Sequence, residues 1–119
     1  MNLKPINTKE RFANLIKTPR GVVRYAEYKG HRMFDLEHIV LRDELAIYWY
    51  ARYVIGNRWP EGEKVLLRGL HAWGPNTYLL NRYAQTVIKD RWPEAEPALS
   101  LDKPEWDEYV KHFNLYLEL

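Results

Sequence analysis

Histidine, serine, cysteine and paired carboxylates are where hydrolytic, metal and redox chemistry would begin, and in this 119-residue sequence they are few or scattered. Cysteine is absent, which removes disulfides, thiolate zinc sites and a thiol nucleophile, and fits a reducing cytosol. Ser100 is the only serine available for acyl transfer, and the four histidines stand far apart at 31, 38, 71 and 112. His31, Glu37 and His38 form one local group of metal-ligand types, but their spacing matches no HExxH or similar zinc pattern. Acidic pairs such as Glu61 with Glu63, Glu94 with Glu96 and Asp107 with Glu108 fall at polar helix starts, where nothing raises a carboxyl toward general-acid duty. There is no glycine-rich phosphate loop. The residues therefore predict a non-enzymatic protein with no metal and no cofactor.

What does recur is an Arg-Trp pair. Tyr50 to Glu63 reads YARYVIGNRWPEGE and Tyr83 to Glu96 reads YAQTVIKDRWPEAE, with 9 identities in 14 positions at a spacing of 33. A third, partial copy begins at Tyr109, 26 residues after Tyr83, with Val110 and Phe113 in register; the difference places about seven extra residues around Gly69 to Gly74, with His71 and Trp73. Trp59 and Trp92 are expected to fill the corner between helices. Arg58 and Arg91 sit at a helix C-terminus, where a cation offsets the dipole and can pair with Glu63 or Glu96. The functional alternative displays Arg58, Trp59, Arg91 and Trp92 on one face, together with Trp73, as partner-binding residues, since Trp and Arg dominate binding hot spots.

The elements that must position these residues are helical. Ile47, Tyr50, Ala51, Val54 and Ile55 recur at helical spacing, as do Leu80, Tyr83, Ala84, Val87 and Ile88, and then Trp106, Tyr109, Val110, Phe113 and Leu117. A residue before proline leaves the α region, so the first two helices should end near Asn57 and Asp90. Pro60 and Pro93 then open short helices with acids in the first turn. Pro97 would shorten the second of these, and Asp102 starts the last long helix. The helix leading into the first corner starts at Asp35 or Asp43. The predicted fold is mainly α: one domain built as a small bundle of stacked long-helix and short-helix units at 35–70, 75–101 and 102–119.

Residues 1–34 differ in kind. Asn7-Thr-Lys-Glu10 resembles a capping box opening a helix through about Lys17, closed by Thr18-Pro-Arg-Gly21. Val22 to Tyr28 and His31 to Phe34, joined by Lys29-Gly30, then read as a short β-hairpin, with a helix from Arg24 as the alternative. This segment holds eight basic and two acidic residues, a charge of +6, against 10 basic and 14 acidic residues, or −4, in 35–119.

The pattern Tyr-Ala-x-x-Val-Ile-x-x-Arg-Trp-Pro-Glu-x-Glu resembles a short tandem helical repeat of small, uncharacterised tailed-bacteriophage proteins, over roughly residues 42–119. The resemblance implies a phage accessory protein acting in the host cytoplasm, where such proteins bind and block host machinery, including defence systems. Two functions are weighed on the residues. A protein-binding module would bind a host protein or complex through a face of stacked helices. A nucleic-acid binder would use Lys9, Arg11, Lys17, Arg20, Arg24, Lys29 and Arg32. The net charge of only +2 favours the first. The longest apolar stretch, Ala46 to Ala51, is too short for a bilayer, and Met1 to Ile6 lacks a signal-peptide core, so a cytoplasmic protein without membrane contact is expected. Leu115, Leu117 and Leu119 leave an apolar end that a second chain, as in a homodimer, or the N-terminal segment would cover.

Overall fold

The computed structural model describes residues 8–116, and within them the chain is mainly helical, with eight α-helices and no strands. Four long helices set the frame. They are α2 (Pro19–Lys29), α4 (Glu44–Trp49, continued as a π-helical segment Tyr50–Ile55), α6 (Thr77–Tyr83, continued the same way over Ala84–Ile88) and α8 (Lys103–Phe113). Each packs on the next: α2 on α4, α4 on α6, α6 on α8. The short helices α3 (Glu37–Val40), α5 (Pro60–Arg68) and α7 (Glu96–Leu99) fill the connections, and α1 (Thr8–Leu15) packs on α2.

The same local chemistry opens and closes every long helix. Thr18, Asp43, Asn76 and Asp102 each sit in extended backbone and accept, through a side-chain oxygen, the amide three residues on. That supplies one of the donors a helix start leaves unpaired. At the far end Gly30, Gly56, Lys89 and Asn114 turn left-handed, with φ of 77, 71, 61 and 55°. From cap to left-handed residue is twelve residues in α2 and α8 but thirteen in α4 and α6. The extra residue is the π segment, whose closing amides reach back five residues: Gly56 N–H to the Ala51 carbonyl at 2.8 Å and Lys89 N–H to Ala84 at 2.7 Å.

Several local expectations change. No hairpin forms at 22–34: α2 takes up 22–29 and Gly30 ends it, because Thr18 caps the helix, Pro19 sits in its first turn and Val22, Val23 and Ala26 repeat at helical spacing toward the core. Thr18-Pro-Arg-Gly21 thus opens a helix rather than closing one. α1 stops at Leu15, short of Lys17, and Asn7 of its expected capping box lies outside the described residues. The helix into the first corner starts after Asp43, while Phe34–Leu36 and Glu37–Val40 make a separate short turn and helix. From left-handed cap to the next N-cap is 13 residues, then 20, then 13, so the second connection carries seven more.

Candidate functional site

Two residues beyond each of the first three left-handed caps, Gly30, Gly56 and Lys89, stands an arginine, and five beyond that a glutamate. Arg58 donates from Nε and Nη2 to the two oxygens of Glu63 at 2.9 and 2.6 Å. Arg91 does the same to Glu96 at 2.9 and 2.7 Å. A third forked pair, Arg32 with Glu37 at 2.9 Å for both bonds, occupies the equivalent place after Gly30. Such bidentate bonds are among the stronger polar contacts available to a side chain.

A tyrosine from the following helix completes each corner. The Trp59 amide donates to the Tyr83 hydroxyl at 2.8 Å, and that hydroxyl donates to Glu63 at 2.8 Å. Trp92 N–H and Glu96 are joined through Tyr109, both bonds at 2.7 Å. Met33 N–H and Glu37 are joined through Tyr50. Two of these rings also serve the corner after their own helix, since Tyr50 lies 4.8 Å from Trp59 and Tyr83 4.9 Å from Trp92, centroid to centroid. Burial, and then the hydrogen bond to a carboxylate, push the Tyr50 phenol up to about 12; burial raises Tyr109 to about 12 and Tyr83 further. The bond from Arg91 holds Glu96 below its ordinary value. These corners bind the chain to itself and leave their phenols and carboxylates fully engaged.

Burial corrects part of the expected partner surface. Trp59 and Trp92 are 1 and 0% exposed, so neither ring is displayed. Their indole Nε1–H groups are buried without an acceptor, which means the rings are held by packing alone. Arg58 and Arg91 keep half-exposed side chains, yet both forks are spent on glutamates.

Trp73 is placed otherwise. It is 80% exposed and lies in the seven-residue extension, stacked on His71 at 4.4 Å with the rings 10° from parallel. A short bridge between His71 and Gly74 closes the loop. Beside it the N-terminal ends of α2, α4 and α6 border a cleft of about 370 Å³ lined by Arg20, Asp43, Glu44, His71, Asn76 and Tyr78, among others. Tyr78 is 55% exposed, and Leu70 also reaches the surface. Sequence reasoning named Trp73 but missed Glu44 and Tyr78; a signal existed for Tyr78, two residues after the Asn76 cap that ends the extended connection, whereas Glu44 follows Asp43, the cap that ends a different one.

The basic residues of the first third divide. Arg20 is paired with Asp43 at 3.2 Å, and Arg32 is spent on Glu37 and lies 4.4 Å over the Phe34 ring. Lys17 donates to Asn14, Lys29 sits over Tyr25, and Arg11 and Arg24 are exposed. The side chain of Lys9 lies outside the described residues. His31, Glu37 and His38 do not assemble: Glu37 is engaged by Arg32 and Tyr50, and no group of three metal-ligating side chains occurs among the described residues. No described helix is long and apolar enough to cross a membrane.

No protein-family model matches the chain, and neither a curated protein nor a solved structure matches it.

Proposed function

We propose that this chain is a non-enzymatic protein-binding module, a phage accessory protein that binds host machinery such as a defence system in the host cytoplasm and blocks it. One observation carries the reading. The one connection longer than its counterparts carries Trp73, 80% exposed and stacked on His71, which lines a cleft together with the exposed Tyr78. In repeat arrays, insertions gather on one face and that face commonly binds. A solvent-facing tryptophan forfeits the burial that its size would give, and tryptophan is among the residues that dominate binding hot spots.

Affinity capture from bacterial lysate tests this. The tagged chain is expected to retain a host protein in stoichiometric amount, and Trp73→Ala is expected to lose it. Failure to retain any stoichiometric protein, or equal retention by Trp73→Ala, overturns the reading. The exposed cations on α1 and α2 and in the turn between them, Arg11, Lys17, Arg24 and Lys29, support nucleic-acid binding as the second reading. That reading requires a mobility shift with DNA or RNA that weakens steeply with salt.

A further inference from the structure

Three buried polar side chains occur among the described residues: Glu63, Asn81 and Glu44. Two are fully occupied. Glu63 holds Arg58 and Tyr83, while Asn81 donates to the backbone and side chain of Glu105 and accepts from Gln85. Glu44 is 7% exposed, and its Oε1 is buried with no hydrogen-bond partner. A carboxylate drawn almost wholly out of water without a donor is costly, and the 7% of Glu44 that stays exposed is the edge at which a donor from outside the chain can reach it.

We infer that the cleft bordered by Glu44 receives an arginine side chain of the protein partner, its guanidinium donating to Glu44. The inference rests on the proposed protein-binding function and specifies what that partner must offer. Four features of the cleft select a cation of this shape. The missing group at Glu44 is a donor, not an acceptor. The cleft's own cation, Arg20, is held by Asp43. At the starts of α4 and α6 the caps Asp43 and Asn76 each occupy one amide, and Asp43 brings a second carboxylate to the cleft lining. Finally, Tyr78 lines the cleft and Trp73 stands beside it with one face on His71 and the rest of the ring in solvent. A guanidinium stacks on such faces and is more weakly hydrated than an ammonium, which favours arginine over lysine. The cleft volume, about 370 Å³, is at the lower end of small-ligand sites and suits one side chain rather than a larger group.

The full-length chain is titrated with N-acetyl-arginine amide, N-acetyl-lysine amide and the uncharged isostere N-acetyl-citrulline amide. Binding is read from amide chemical shifts of residues 43–46 and 76–79 and from tryptophan fluorescence. The expected order is arginine, then lysine, with no saturable change for citrulline. Glu44→Gln is expected to weaken the arginine amide by about tenfold or more, as removal of a charge-assisted bond does. Tyr78→Ala, on the exposed rim, is expected to weaken it by about threefold through lost stacking, and covers the case in which Glu44→Gln fails to fold. No saturable shift with the arginine amide, an equal response to citrulline, or unchanged affinity in a folded Glu44→Gln overturns the inference. Capture of a host protein that depends on Trp73 but not on Glu44 also overturns it, while leaving the protein-binding function standing. Arginine binding by a chain that retains no host protein would sink that function and keep the site.

Discussion

Removing one oxygen tests the corner most directly. In Tyr83→Phe the ring stays against Trp92, and only the hydroxyl between the Trp59 amide and Glu63 is lost. Both of those bonds are buried, so the Trp59 N–H is left without a partner where water does not reach. An orphaned buried donor costs about 1–3 kcal/mol, and a hydrogen bond to a charged group contributes about 1.5–3 kcal/mol. Glu63 keeps its forked bonds to Arg58, which limits the second loss, so about 3 kcal/mol is expected in all. At about 0.25 kcal/mol per degree for a domain of this length, Tm falls by about 12 °C. Tyr50→Phe breaks two part-buried bonds and should cost about 1–2 kcal/mol, while Tyr109→Phe breaks one buried and one part-buried bond and should cost about 2–3 kcal/mol. Thermal and urea unfolding of the three variants measure this, with Tyr53→Phe, more than half exposed, as the control. A Tyr83→Phe loss no larger than that of Tyr53→Phe would refute the view that these hydroxyls hold the corners shut. A Tyr83→Phe, Glu63→Gln double-mutant cycle should return a coupling of about 1–2 kcal/mol.

Other perturbations have defined signs. Gly62→Ala should destabilise by about 1–3 kcal/mol in urea unfolding despite alanine's better helix propensity, because the new methyl would lie 2.6 Å from the Trp59 ring and 2.7 Å from Ile47. Lys89→Gly should stabilise by about 1 kcal/mol, since a lysine with φ 61° holds a conformation that glycine adopts without strain, whereas Gly56→Ala should cost a similar amount. The folded phenols of Tyr50, Tyr83 and Tyr109 titrate above the ordinary value of about 10. The folded state therefore holds protons that the unfolded chain gives up. The resulting stabilisation is complete below about pH 10 and is lost as pH climbs through about 12, which urea midpoints and tyrosinate absorbance across that range would show. On the acid side Glu96, lowered by Arg91, contributes above the usual carboxylate range and loses its share as pH falls through its folded value.

Much of the second half was legible because its repeat carries both a hydrophobic period and a proline stop. The Arg-Trp-Pro corners follow from identities that survive between 50–63 and 83–96, the extension near His71 from the difference between the spacings of 33 and 26, and the start at Asp102 from its own Asp-Lys-Pro signal. The first corner was not legible. There Met33 and Phe34 replace Trp and Pro, and only Arg32, Glu37 and the distant Tyr50 are kept, a pattern too sparse to see before the side chains are placed. The hairpin reading failed for a related reason: Val22, Val23 and Tyr25 favour strands as isolated residues, and the Thr18-Pro19 start that overrides them reads as a turn. The candidate site was half visible. Trp73 stands out in any sequence, but the isolation of Glu44 depends on which neighbours fail to reach it, and that exists only in three dimensions.

The hydroxyl that closes a corner always comes from the helix after it, so no unit is self-sufficient. Shortening the chain anywhere between a corner and its successor would strand a main-chain amide, and a severed fragment would lose more than its own helices. Lengthening obeys the reverse rule. A duplication running from one N-cap to the next would supply its predecessor and be supplied by its successor, so the series can grow from within using one kind of joint. Only the ends have to invent something different.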